Sequence, residues 1–267
     1  MDEKIRCFVE NGIATVILND PEKMNALSQP MATELNQTLT ELRYDKGVKV
    51  VVLRGANGTF CAGGDVKSMK KRVDAYVKGT EAESNVTRNM WNLNALVLAV
   101  REMPQPVVAW IEGACTGGGL SLAMACDFSF AAQGAKMACA FIGVGLAPDM
   151  GSSLMVTMRA GVAKATDLFM MGRRFSAEEA ETWGLITRCV PAEELETAVQ
   201  KQVQALLKGP GLAYAEVKAA INDAAYGPLY QRMGKETAAA DRLARSGDHA
   251  EAVNAFLEKR APVFTGK

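Results

Sequence analysis

The chain alternates between short apolar runs of strand type and longer segments whose apolar residues recur every three to four positions. Ile13–Asn19 alternates, is rich in β-branched residues and breaks at Asp20-Pro21, which predicts a strand and a turn. Met31–Tyr44 sets Leu35, Leu39 and Leu42 at helical spacing. Val48–Leu53 is an unbroken apolar run, the pattern of a strand covered on both faces. Glu81–Glu102 places Val86, Met90, Leu93, Val97 and Val100 at steps of three and four, a long amphipathic helix stopped by Pro104 and Pro106. Val107–Ile111 predicts a strand, Leu120–Cys126 a helix, and Asp127–Ala132 and Lys136–Ala140 two short strands.

Beyond Pro148 helical spacing takes over. Helices are predicted at Ser153–Arg159 and Ala163–Met171, and a third opens on the capping box Ser176/Glu179 and closes at Gly184. A short strand at Leu185–Val190 precedes a helix at Ala192–Leu207. Gly209-Pro210-Gly211 is the clearest breakpoint, followed by helical stretches Leu212–Ala225, Leu229–Ala244 and His249–Lys259. The order predicts an α/β fold: a core over 1–208 built of strand-strand-helix units, and a helical region over 209–267. No repeat of fixed period is visible in the sequence.

Composition narrows the function. Thirty basic residues balance 30 acidic ones, so nothing in the charge favours nucleic acid or a membrane surface. Cys7, Cys61, Cys115, Cys126, Cys139 and Cys189 show no CxxC or zinc spacing, and several sit in apolar runs; reduced, buried thiols are expected. Met1-Asp2-Glu3-Lys4 lacks an apolar signal core and no apolar run reaches spanning length, so the expectation is a cytoplasmic protein. The single histidine, His249, leaves no multi-histidine metal site, and no metal is expected. Asp248 with Glu251 reads as a capping box, which makes His249 a solvated first-turn residue.

Two glycine-rich loops carry the chemistry. Phe60-Cys61-Ala62-Gly63-Gly64-Asp65 and Thr116-Gly117-Gly118-Gly119 each follow a strand-type run and lead into helical spacing. Such a turn offers free N–H groups at the positive end of a helix, with no Cβ to block a ligand. Two of them, if they face each other, would place two donors on one oxygen, the geometry of an oxyanion hole. A dinucleotide fingerprint does not fit, because the first strand ends in Asn19-Asp20-Pro21 and Gly117–Gly119 is not GxGxxG. A P-loop fails as well, since no Gly-Lys-Ser/Thr follows either loop.

Taken together, Asn19–Ser28 (NDPEKMNALS), the FCAGGD loop at 60–65 and Ile111–Asp127 (IEGACTGGGLSLAMACD) resemble the crotonase, or enoyl-CoA hydratase/isomerase, superfamily. The likeness continues through Phe141–Gly151, Phe175–Leu185 and Ala255–Lys267, in order along nearly the whole chain. The resemblance implies a spiral core of β-β-α units, a C-terminal helical trimerisation region, and a homotrimer or dimer of trimers. It implies an acyl-CoA thioester as substrate, with coenzyme A as part of that substrate and no separate cofactor. Gly64 and Gly118 would donate their N–H groups to the thioester oxygen. Lys23, Met24, Ala26 and Leu27, with Ala62, Gly63, Asp65 and Val66, would line the coenzyme A portion. Gly117, Ser121 and Phe141 would lie at the acyl end, and Phe256 and Lys259 would reach coenzyme A, the lysine meeting phosphate.

The departures from the family pattern are informative. Family hydratases use two glutamates, at positions held here by Ser121 and Phe141, neither of which can activate water or deliver a proton at neutral pH. One acid stays in a suggestive place: Asp149, in Leu146-Ala147-Pro148-Asp149-Met150-Gly151. From local sequence it is equally a proton-transfer group made basic by apolar surroundings or an N-cap for the following helix. Family isomerases, including the ring-epoxide isomerase of phenylacetate degradation, carry an acid there, and the resemblance favours the proton shuttle. The 4-chlorobenzoyl-CoA dehalogenase branch also has an Asp there, but its histidine partner would fall near Asn94. Asp65 reads as the residue that fixes its own turn. Phe141, Met69, Met90 and Met150 are candidates for an apolar pocket. The expected activity is double-bond isomerisation of an acyl-CoA or rearrangement of a ring acyl-CoA; atypical hydratase, hydrolase or lyase chemistry and an inactive acyl-CoA-binding subunit are the alternatives.

Overall fold

The alternation at 13–18 becomes β2 (Ile13–Leu18), buried at every second residue, and the apolar run beside it becomes β3 (Val50–Gly55), covered almost throughout. This computed structural model describes residues 3–80 and 85–267. β2 turns back on β1 (Ile5–Glu10) through Asn11-Gly12, both at positive φ, a two-residue hairpin turn that suits the twist of the strands. β1 escapes sequence reading because it is an edge strand with only Ile5 buried, so no alternation marks it. β4 (Val107–Ile111), β6 (Phe128–Ala132) and β9 (Arg188–Val190) extend the sheet in parallel, giving the order β1-β2-β3-β4-β6-β9. A second sheet is formed by three strands of three residues each, β5 (Ala114–Thr116), β7 (Lys136–Ala138) and β8 (Arg174–Ser176). Strands this short show no period.

Ser28 caps α1 (Gln29–Tyr44), which starts two residues before the expected Met31 because Pro30 fits a first helical turn. α1 lies along α3 (Val86–Glu102). The expected start of that helix at Glu81 lies outside the described residues. α2 (Val66–Val77) and α4 (Gly118–Ala125) follow the two glycine loops. α5 (Ser152–Met171) is broken at Gly161, so its halves are the two helices read from the sequence. The capping box at Ser176/Glu179 is present at the head of α6 (Ala177–Thr182). Leu185 and Ile186 are not strand residues: both N–H groups bond back to Ala180 and both side chains enter the core. α7 (Leu195–Lys208) covers the outer sheet face of Val50, Val52, Val108 and Phe130.

The last region holds α8 (Gly211–Tyr226), α9 (Leu229–Leu243) and α10 (Gly247–Glu258). Its apolar residues do not cluster alone: Tyr226, Leu229 and Met233 belong to the same core as Leu96, Ala123 and Met155. A buried charge network also ties α8 down. Asp127 receives Lys218 Nζ at 2.8 Å, Arg101 at 3.1 Å and the Val107 N–H at 2.8 Å, while Arg101 also bonds Asn222. Lys218→Met should lower unfolding stability by about 1.5–3 kcal/mol, the range for a hydrogen bond to a charged group. Urea unfolding of both proteins checks this; an unchanged midpoint would mean that α8 is held by its apolar contacts. No helix among the described residues is long and apolar enough to cross a membrane.

Candidate active site

The two glycine loops face each other. They are zipped by Phe60 N–H to the Glu112 carbonyl (2.8 Å), Cys61 N–H to Ala114 (2.8 Å), Thr116 N–H to Cys61 (3.0 Å) and Thr116 Oγ1 to Ala62 (2.8 Å). Glycine is required at the seam. A Cβ on Gly63 would lie 2.7 Å from the Thr116 carbonyl oxygen, and Gly117, at φ 51° and ψ −123°, holds a backbone that side-chain-bearing residues avoid. Gly118 is the first residue of α4, so its N–H has no partner within the helix. Among the described residues no loop hydrogen bond uses the N–H of Gly64 or of Gly118.

Apolar side chains stand beside both glycines. A Cβ on Gly118 would meet Met150 Sδ at 2.8 Å and Leu27 Cδ1 at 3.1 Å, one on Gly64 would meet Met69 Cε at 2.6 Å, and Phe141 stands against Gly117. Met69 and Met150 are therefore at the site, whereas Met90 packs with Val86, Ala240 and Ala244 in a separate cluster. Ser121 is fully buried and donates to the Gly117 carbonyl.

The Asn19–Ser28 segment closes one side. Leu27 N–H bonds the Gly63 carbonyl at 2.7 Å, and Ala62 N–H bonds the carbonyl of the exposed Met24 at 3.0 Å, with Ala26 buried beneath. Asp65 fixes its turn as expected, capping α2 at Val66 by accepting from Lys67 N–H and Ser68 N–H. Burial raises its pKa, but the Lys23 ion pair at 3.0 Å and the Ser68 hydroxyl outweigh that and hold it below the usual value. Cys61 is no nucleophile, because burial pushes its thiol up to about 12. All six cysteines are free, with Cys7 exposed.

Asp149 is not a helix cap. The N-cap of α5 is Gly151 in the left-handed region, and Asp149 offers it only a backbone carbonyl, to Ser152 N–H at 3.0 Å. Its Oδ1 is shielded and has no hydrogen-bond partner, as has the neighbouring Ser152 Oγ. Burial first, and the Glu236 carboxylate second, push its pKa up to about 7. Side-chain capping comes instead from α9: Glu236 Oε2 accepts from Gly151 N–H at 2.7 Å and Oε1 from Ser153 N–H at 3.1 Å. No motif marks Glu236 in the sequence, yet Leu229, Met233, Glu236 and Ala240 share one helical stripe and all are buried. An acid on that stripe was the available signal.

His249 also departs from expectation. Ser246, not Asp248, caps α10, and His249 is fully buried with Nδ1 2.6 Å from the Val144 carbonyl. Asp248 instead holds the Thr265 and Gly266 N–H groups of the tail. A carbonyl partner makes Nδ1 the donor, so Nε2 carries no proton in the neutral ring, and a second proton there would meet no acceptor. Burial depresses its pKa, and the Arg72 cation depresses it further. An unfolded chain therefore takes up a proton that the fold refuses, and stability should fall as pH drops below about 6.5. Comparing urea midpoints at neutral and mildly acidic pH in the wild type and His249→Gln checks this; an equal acid loss in both would place the effect elsewhere.

Asn94, near the place expected for the dehalogenase histidine, is buried and donates to Thr237 Oγ1 at 3.0 Å. Phe256 and Lys259 are exposed at the end of α10, which packs against α2 and the 3-10 turn Ile142–Val144 of its own chain. Among the described residues no hydrogen bond or ion pair joins them to the glycine loops.

Residues 9–267 match the model of the enoyl-CoA hydratase/isomerase family. The chain belongs to that family. It is 34% identical over 267 residues, all of both chains, to the 1,2-epoxyphenylacetyl-CoA isomerase of Escherichia coli. It is 35% identical over 263 residues, 98% of each chain, to a probable enoyl-CoA hydratase of Rhodobacter capsulatus. An enoyl-CoA hydratase structure from Mycobacterium avium subsp. paratuberculosis superposes with a TM-score of 0.88 at 32% identity, covering 98% of this chain and 99% of that one. The fold is thus the crotonase fold, and an acyl-CoA substrate is consistent with the family.

Proposed function

We propose that this protein is an acyl-CoA isomerase that moves a double bond, or rearranges a ring acyl group, through a thioester enolate. The observation that carries the reading is Asp149: a carboxyl with a shielded, unpartnered oxygen and a pKa near 7, one residue from the methionine beside Gly118. Ser121 and Phe141 occupy the places where two-glutamate chemistry would need acids. In a 3-enoyl thioester, Asp149 removes a proton from C2. The electron pair moves onto the thioester oxygen, held by the Gly64 and Gly118 N–H groups, and Asp149 returns the proton to C4. The 2-enoyl thioester results, and one acid–base group suffices. A group titrating near 7 is both an available base and an available acid at neutral pH.

Coenzyme A enters as part of the substrate, with Lys23–Leu27 and Ala62–Val66 along it, and Phe256 and Lys259 serve it from the end of α10 in a homotrimer or dimer of trimers. The test is to incubate the protein with 3-enoyl-CoA and, separately, 2-enoyl-CoA thioesters, following conjugation of the first and hydration of the second. Conjugation is expected. Formation of a hydroxyacyl-CoA would identify a hydratase, and binding without turnover an acyl-CoA-binding subunit.

A further inference from the structure

We propose that Glu236 is a positioning residue for the Asp149 proton shuttle: its carboxylate clamps the turn that presents Asp149 and sets a fixed negative charge behind it. The inference rests on the shuttle reading of Asp149 and adds a second carboxylate, contributed by the C-terminal helical region.

Three observations meet at one turn. First, Glu236 is buried, and it bonds Gly151 N–H, Ser153 N–H and the Ser153 hydroxyl. These donors lie two and four residues beyond Asp149, so the carboxylate holds the backbone from which Asp149 projects. Second, α9 is seated directly on that turn: a Cβ on Gly151 would lie 2.5 Å from Leu229 Cδ1 and 3.1 Å from Met233 Cε. The clamp cannot drift without unseating the helix. Third, both Glu236 oxygens accept from backbone N–H groups and one also from the Ser153 hydroxyl, which favours the ionised carboxylate. The charge therefore resides on Glu236, and Asp149, with an unpartnered oxygen, is the member of the pair that takes up and gives back a proton.

Few other charges bear on the pair. Arg232, on Glu236's own helix, favours the ionised form of Glu236, whose pKa burial raises. Asp149 is shifted by burial and Glu236 alone. His249 faces the Val144 carbonyl, and the Arg72 cation bears on His249 rather than on Asp149 or Glu236.

A carboxylate kept near a second negative charge is a stronger base than one left alone. Removing that charge in Glu236→Gln should let Asp149 ionise at lower pH while making it a poorer proton acceptor. The infrared band of the protonated Asp149 carboxyl, identified by its loss in Asp149→Asn, reports this without any need for turnover. In Glu236→Gln its midpoint should move down by about half a pH unit or more. With 3-enoyl-CoA, kcat should fall about tenfold while KM stays within about threefold, because the thioester is held by the glycine loops. A folded Glu236→Gln protein whose Asp149 titrates at the wild-type pH overturns the inference. Should that variant not fold, Ser153→Ala, which removes one donor from the same carboxylate, must lower kcat with KM unchanged, and a wild-type kcat overturns it. The shuttle reading fails separately, if Asp149→Asn keeps its turnover.

Discussion

Asp149→Asn is expected to lower isomerase turnover by about a hundred- to ten-thousandfold, the range for loss of a general acid–base group. Affinity for acyl-CoA should survive, since on the proposed reading the thioester oxygen is held by backbone donors and not by this side chain. Thermal stability should hold or rise. The side chain caps nothing, and its pKa near 7 means that the fold favours the neutral carboxyl. Between the unfolded carboxylate pKa, near 4, and about 7, the folded chain holds a proton that the unfolded chain has released, so this residue lowers stability as pH rises through that window. A permanently neutral amide removes the penalty. Calorimetry at pH 5 and pH 8 should show the variant gaining on the wild type at the higher pH. Equal turnover in the two proteins would remove Asp149 from the mechanism.

The second large effect is expected at Gly118. Proline there deletes the N–H without breaking α4, because the first helical position has no N–H bond to lose. Turnover should fall by about a hundred- to a thousandfold, as for one lost oxyanion donor. Bulk is a separate matter, since any Cβ at this position meets Met150 Sδ and Leu27 Cδ1. Gly118→Ala keeps the donor and adds that Cβ, so it measures crowding alone. Both neighbours are side-chain atoms rather than backbone and can shift by a few tenths of an ångström, so the alanine variant should retain more activity than the proline variant. If alanine and proline cost the same, crowding explains the loss and the donor does not.

The sequence made the loops legible because their chemistry is written in the backbone. A run such as Thr116-Gly117-Gly118-Gly119 between a strand and a helix already says that N–H groups are free and approachable. Long periodic segments, α1, α3 and α7, are visible for the same kind of reason: one face of each is buried over several turns. What was illegible depends on partners far away in the chain. β1 is an exposed edge, and β5 and β8 exist only because β7 lies between them. His249 reads as a surface residue until α10 is seated on the turn at Ile142–Val144. From local sequence Asp149 reads equally as a cap or a proton-transfer group until Glu236 is seen to occupy the capping position from 85 residues downstream of Gly151.

That distance has a consequence for synthesis. The turn carrying Asp149 leaves the ribosome long before Glu236 is made, with the N–H groups of Gly151 and Ser153 still lacking their carboxylate. The glycine loops can close on each other earlier, since Gly63 and Thr116 both precede the turn. On the proposed reading, the oxyanion site could thus form in a nascent chain before the proton shuttle is positioned. On that reading the shuttle would be positioned only when α9 docks, so the last helices to be made would complete the site.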